Sequence, residues 1–150
     1  LGTALIDTFT TASFLRPLTL KQAKLLDGFR QDSGDEIEVG EAIIARLQEF
    51  GIDPRTKLLV FSNALDFPKY SRIAAYFKGR IKVSAGIGTN LTCDPGIPGY
   101  KAANIVMKLS RCRMSAKDPW EKVIKISDDT GKHMGDDLEF RIASHELHLS

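Results

Sequence analysis

The chain has 150 residues, 43% of them hydrophobic and 27% charged, with a formal net charge of +2. That length supports one domain burying roughly 68–70% of its unfolded surface, and the composition excludes a disordered chain. The charge is too small to point to nucleic acid, no apolar run approaches the roughly 18 residues of a membrane helix, and two distant cysteines, Cys93 and Cys112, fit a reduced, cytoplasmic protein.

Taken in chain order, "TALIDTF" (Thr3 to Phe9) predicts a strand. Leu18 to Leu26 predicts a short helix with Thr19 as N-cap. Gly28 to Gln31 predicts a short strand that ends in Asp32-Ser33-Gly34-Asp35. Ile37, Ile43, Ile44, Leu47 and Phe50 keep helical spacing, and Gly51 supplies the stop. "KLLVFS" (Lys57 to Ser62) is almost wholly apolar, as expected of a strand buried on both faces of a parallel sheet. Asp66-Phe67-Pro68 opens a helix running to Phe77, and Ile81 to Ala85 is the next strand. This alternation means βαβ units and parallel pairing, hence an α/β fold. After Asp94 the rhythm changes. "PGIPGY" is a loop, "NIVMKLSRCRM" and "KVIKIS" predict two strands joined through Pro119, and "DDLEFRIASHELH" predicts a C-terminal helix. Residues 1–94 therefore form the βα units, and 95–150 a late β extension with a terminal helix. The opening "LGTALIDTF" starts with Leu1 inside a strand-like run, so the chain is expected to be a piece of a longer protein.

Polar clusters follow the strands. They are Asp7-Thr8 with Thr10-Thr11, then Arg30 with Asp32-Ser33-Gly34-Asp35, then Ser62-Asn63, then Gly86-Ile87-Gly88-Thr89. In a parallel sheet or barrel the strand C-terminal ends lie on one rim, where ligands bind. Gly86 and Gly88 can reach positive φ, and successive N–H groups can form an anion nest to which Thr89, Asn90 and Thr92 add donors; a plain turn is the competing reading. The segment is neither a Walker A loop nor a dinucleotide fingerprint. Arg30 offers a fork that suits a carboxylate or phosphate. Asp32 is an acceptor for hydroxyls or a metal ion. Ser33 and Glu36 fit a capping box at the start of the next helix. Ser62 and Asn63 suit sugar hydroxyls or are simple loop polarity. Asp7 is a ligand contact or a satisfied buried acid. Cys93 and Cys112 read as inert thiols, His145 and His148 as surface residues, His133 as a loop residue, and Trp120 and Tyr100 as packing or loop anchors.

"GTALIDTFTTASFL", "RQDSGD", "LVFSNALD", "GIGTNLTCD", "NIVMKLS" and "IKISDDTGKHMG", in this order and spacing, resemble the C-terminal part of nicotinate phosphoribosyltransferases. The resemblance spans nearly the whole chain. It implies the irregular, TIM-like α/β barrel of the type II phosphoribosyltransferases, usually dimeric. It also implies an enzyme of NAD salvage that joins nicotinate to phosphoribosyl pyrophosphate, with Mg²⁺ and coupled ATP hydrolysis. By that resemblance Arg30 contacts the nicotinate carboxylate or the phosphoribosyl group, and Asp32 lies near the ribose or the metal-bound pyrophosphate. Ser33, Ser62 and Asn63 bind substrate, the last two at the ribose, and Gly86, Gly88 and Thr89 hold the 5-phosphate. Many family members carry Asp where Asn63 stands. The histidine that the family phosphorylates lies upstream of the matched region, so no catalytic residue is assigned here, and the chain alone is expected to be an inactive half-barrel. A nicotinamide or quinolinate enzyme, or a non-catalytic module binding a phosphate ligand, are the neighbouring readings.

Overall fold

The structure is a computed structural model describing residues 1–93, 96–100 and 107–149. Its centre is a four-stranded parallel sheet: β1 Thr3–Leu5, β2 Gly28–Gln31, β3 Leu58–Phe61 and β4 Lys82–Ala85, lying side by side in chain order. The register puts Ala4, Phe29, Leu59 and Val83 in one row, and Leu5, Arg30, Val60 and Ser84 in the next. The crossovers carry α1 Thr11–Leu15, α2 Leu20–Leu25, α3 Glu36–Glu49 and α4 Phe67–Phe77. Side chains alternate across a strand, so each row belongs to one face. Phe29, Leu59 and Phe61 face the helices and are fully buried with Ile43, Ile44 and Leu47 of α3 and Ile73 and Phe77 of α4.

The other face is not covered among the described residues. Leu5 is 42% exposed, Arg30 is exposed, and Leu58 and Val60 are only half-buried. This corrects the expectation for Lys57–Ser62, which is buried on one face and open on the other. Its apolar run still reads as a parallel strand, because strands of such sheets are built for burial on both faces.

The helix ends follow local chemistry. Thr19 caps α2 in a reciprocal capping box with Gln22. Asp66 caps α4 by accepting the Lys69 N–H at 2.7 Å, and Pro68 sits in the first turn, where its missing N–H is harmless. The expected Ser33–Glu36 box does not form. Asp35 is the N-cap of α3, accepting from the N–H groups of Ile37 and Glu38. Ser33 is drawn into the interior instead, and Glu36 pairs with Lys69 across to α4 at 2.6 Å.

The first strand is shorter than "TALIDTF" suggests. After Ile6 the chain turns inward at Asp7, and Thr10, at φ 92°, caps α1, a helix with no clear signal in the sequence. Among the described residues the late β extension is smaller than the two strands expected. It holds an antiparallel pair, β5 Arg111–Cys112 with β6 Glu121–Lys122, plus isolated bridges from Lys125 to Met134 and from Ile126 to Phe9. The first residues of "NIVMKLSRCRM", and the start of "PGIPGY", lie outside the described residues. A single helical turn, α5 Thr89–Thr92, follows the sheet, and the terminal helix α6, Asp137–Glu146, is capped by Asp136.

Gly40 is where α3 meets α4. A Cβ there would lie 2.2 Å from Cζ of Phe77, whose ring stacks on Phe61 at 5.8 Å between centroids. Gly40→Ala is expected to destabilise the complete protein by about 1–3 kcal/mol through overpacking, despite alanine's better helix propensity. Urea unfolding checks this, and an unchanged or raised midpoint would contradict the packing account.

Candidate functional site

The sheet brings the four polar clusters to one rim, as parallel pairing requires. The first is held inward. Asp7 is fully buried, and its Oδ2 accepts a short hydrogen bond from the Ser33 hydroxyl. Asp7 is therefore a buried acid satisfied by Ser33 through one oxygen. Ser33, expected beside the ligand, is fully buried as well. Its hydroxyl also accepts from the Asp128 N–H at 3.3 Å. Thr11, from the same cluster, donates its N–H (3.0 Å) and hydroxyl (2.6 Å) to the Asp128 carboxylate.

Gly34 is the pivot of the second loop. At φ +78°, a conformation costly for any side chain, it turns its N–H to Asp129 Oδ1 at 3.0 Å. Its carbonyl accepts from Gln31 Nε2 at 2.9 Å and Asn63 Nδ2 at 3.3 Å. A Cβ on Gly34 would also press on Cβ of Asp128 at 3.3 Å. Gln31 donates to the Ser33 carbonyl too, so a buried amide shapes the loop from beneath.

Arg30, Asp32 and Ser62 form the accessible part. Arg30 Nε donates to Ser62 Oγ at 3.0 Å, and its Nη2 lies 3.7 Å from Asp32 Oδ1. The Ser62 hydroxyl has Asp32 Oδ1 and the Gln31 carbonyl as alternative acceptors, each at 2.9 Å. The guanidinium is thus held at one edge. Its side chain stays 51% exposed, and among the described residues no acceptor pairs with Nη1. A planar fork fixed at one edge and open at the other can take a carboxylate or phosphate. Asn63 is engaged through both amide ends, the carbonyl oxygen receiving Lys132 Nζ at 2.9 Å.

The fourth cluster lies beside the third but does not join its hydrogen bonds. Gly86 sits against Ser62, where a Cβ would be 3.2 Å from Cβ of that residue, and its N–H is spent on the Phe61 carbonyl. Neither Gly86 nor Gly88 holds the positive φ expected from sequence, and Gly88 is at φ −91°. Thr89–Thr92 form one helical turn instead. Asn90 Nδ2 donates to the Leu65 carbonyl and Thr92 Oγ1 to the Gly88 carbonyl, so two of the three expected donors are taken.

The remaining candidates stay apart from the rim. His133 packs on Phe140 and meets the Ser127 carbonyl, and His145 and His148 stand on and just past α6. Among the described residues no His, Cys, Asp or Glu cluster could hold a metal ion. Cys93 and Cys112 are free. Trp120 is over half exposed under the Arg113 guanidinium, and Tyr100 is exposed. A cavity of about 440 Å³ lies beside β1, lined by Leu5, Phe9, Phe14 and Leu18 among others. Its lining is mainly apolar, takes in Thr8 and Thr10 of the first cluster, and holds no charged side chain that would suit a phosphate. Among the described residues no helix is long and apolar enough to cross a membrane.

Residues that the sequence reading passed over are Gln31, Asp128, Asp129 and Lys132. Period-two alternation from Phe29 would have placed Gln31 on the core face, and two acids and a lysine within five residues mark "DDTGK" as more than a linker.

Two outcomes are expected here. Ser33→Ala strips Asp7 Oδ2 of its partner in the interior and should cost about 1–3 kcal/mol in urea unfolding of the complete protein. A loss within about 0.5 kcal/mol, the scatter of an inert surface change, would contradict this. The second concerns acid. The Gly34 N–H chiefly holds the Asp129 carboxyl below its ordinary 3.8, Lys132 and the Asn63 amide adding to it and burial opposing. A carboxyl lowered by folding stabilises fully above that ordinary value and loses its contribution as pH falls through the lower folded value. Asp129→Asn should therefore flatten the fall of Tm below about pH 4. An unchanged acid limb would exclude the link.

The arrangement is that of an α/β protein with polar side chains gathered at the carboxyl edge of a parallel sheet, the edge where such folds bind ligands. The sequence profile of the nicotinate phosphoribosyltransferase (NAPRTase) family matches residues 1–149. The chain belongs to that family. It is 47% identical over 139 residues to a nicotinate phosphoribosyltransferase of Desulforapulum autotrophicum, covering 93% of this chain and 35% of that protein. It is 48% identical over 140 residues to nicotinate phosphoribosyltransferase 2 of Pseudomonas aeruginosa, covering 93% and 33%. The crystal structure of nicotinate phosphoribosyltransferase from Porphyromonas gingivalis superposes with a TM-score of 0.93 at 44% identity, over 99% of this chain and 38% of that one. The chain spans about a third of the length of the curated relatives it matches.

Proposed function

We propose that the chain is the C-terminal portion of an enzyme that joins nicotinate to phosphoribosyl pyrophosphate in NAD salvage, releasing nicotinate mononucleotide and pyrophosphate with coupled ATP hydrolysis. Relatives at 47% and 48% identity bear the name of that activity. The observation that carries the reading is the Arg30–Asp32–Ser62 cluster on the open sheet face. A four-stranded sheet in unbroken chain order is the arc that a barrel would continue, and its open face would then look into the lumen. Residues 1–94 supply the arc, and 95–150 the extension and terminal helix.

Each residue has a role fitted to its surroundings. The free edge of Arg30 pairs with the nicotinate carboxylate or the phosphoribosyl group. Ser62 and Asn63 meet ribose hydroxyls, and Ser33 supports them from beneath. Gly86 and Gly88 let the backbone approach the 5-phosphate, and Thr89 offers it a hydroxyl. Displacement at the anomeric carbon builds positive charge on the sugar and negative charge on the leaving pyrophosphate, so fixed donors and acceptors do most of what a protein can do there. Among the described residues no group pairs with Asp32 Oδ2, so this one carboxylate oxygen fits Mg²⁺ brought in on pyrophosphate, the usual manner of that ion. An Mg²⁺ ion held there would neutralise the charge developing on the leaving group. The whole enzyme is a cytoplasmic homodimer, and the present chain alone is inactive.

The complete protein is the one to assay, with phosphoribosyl pyrophosphate, Mg²⁺ and ATP, and with nicotinate or nicotinamide in parallel. Mononucleotide from nicotinate alone, read by mass spectrometry, is the expected result; product only from nicotinamide, or none, would overturn the reading. Arg30→Ala should then lower kcat/KM for nicotinate by about 10- to 100-fold, the loss of one charge-assisted contact. A fall in Tm with no such loss would move Arg30 out of the site.

A further inference from the structure

We infer that Lys132 is a positioning residue of this site, one that locks the loops after β2 and β3 to each other and does not bind substrate phosphate itself. The inference rests on the proposed function and extends it to a residue from the late extension. Lys132 closes a 3₁₀ turn, Thr130–Lys132. Its Nζ donates to the Asp32 carbonyl in a short hydrogen bond, to Asn63 Oδ1 at 2.9 Å, and lies 3.3 Å from Asp129 Oδ2. An ammonium has three protons and no more. All three have acceptors: one from the loop after β2, one from the loop after β3, one from the lysine's own turn. A cation so committed has no proton left for a phosphate.

The same contacts fix the orientation of Asn63. Its Oδ1 faces the ammonium and its Nδ2 faces the Gly34 carbonyl at 3.3 Å. Turned over, the amide would set its NH₂ against a cation and its oxygen against a carbonyl, two repulsions at once. The ring is closed on the far side by Asp129, which takes the Gly34 N–H and pairs with Lys132. Lys132 therefore sets how Asp32 and Asn63 present themselves to a sugar bound at the rim. Misplacing such groups by about 1 Å is enough to lose about 100-fold in rate.

The test uses the complete protein. Nicotinate-dependent mononucleotide formation by the wild type is measured first and judges the function alone. Lys132→Met should then lower kcat by about 10- to 100-fold, with the KM for phosphoribosyl pyrophosphate held within about twofold. Combined with Asn63→Ala the loss should fall short of the product of the two single losses, because the Lys132–Asn63 contact is common to both. Independently of activity, hydrogen exchange over residues 32–34 and 62–64 should rise in Lys132→Met. A raised KM with unchanged kcat would make Lys132 a phosphate ligand and overturn the inference. Additive losses, or unchanged exchange in both loops, would overturn it as well. If the wild type makes no mononucleotide, the function has failed and the exchange result alone judges the clasp. Should Lys132→Met not fold, Asn63→Ala breaks the contact from the other side, and unchanged exchange over 130–133 would then count against the inference.

Discussion

The rim depends on one clasp. A short stretch near the end of the chain, Ser127 to Lys132, reaches back across the carboxyl edge of the sheet. It takes hold of loops about a hundred residues earlier in sequence. Asp128 receives Thr11, its N–H meets Ser33, Asp129 receives Gly34, and Lys132 reaches Asp32 and Asn63. Every contact joins a charged or hydroxyl group to a partner it can satisfy in a partly dry setting, where an unpaired group would be costly. The loops have little apolar content of their own to hold them. Without the clasp, Ser62 would still join Arg30 to Asp32 and Asn63 would still reach the Gly34 carbonyl, but the Asp32 carbonyl and Asn63 Oδ1 would lose the cation they share.

The clasp also explains a division of labour among residues of similar chemistry. Asp7, Ser33, Gln31 and Thr11 point inward and build the loops. Arg30 and Asp32 point to the open face. Ser62 stands between, bonded to both Arg30 and the Gln31 carbonyl. The outward groups are held by inward ones, a pattern suited to a site whose chemistry is charge stabilisation by fixed dipoles. The hydrophobic side of the sheet supplies the rigid base, through Phe29, Leu59 and Phe61 against α3 and α4.

Local sequence carried the parallel α/β core well. Gly28–Gln31 was read to the residue, and the strands at Leu58 and Lys82 to within one, because short apolar runs and helical spacing are themselves local. The errors have physical causes. Ser33 and Asp35 are both good cap residues two positions apart, and only the burial of Ser33 against Asp7 decides between them. "NIVMKLSRCRM" and "KVIKIS" are rich in strand formers, yet only two-residue pairs form there among the described residues, since β propensity needs a partner strand to act on. Helix α1 is five residues long and held by a distant carboxylate, so no local pattern announced it.

By itself the sequence determined that this is an α/β chain with parallel strands, that polar clusters follow those strands, and which family it resembles. These follow from periodicity, from composition and from motifs contiguous in the chain. Only the tertiary structure decided which of the clustered residues face inward and which face out. It alone showed that, among the described residues, one side of the sheet is uncovered around Arg30, and that Lys132 and Asp129 belong to the rim. The reason is distance along the chain. Contacts spanning 69 to 117 residues leave no trace in local pattern and exist only once the sheet has brought its strand ends together.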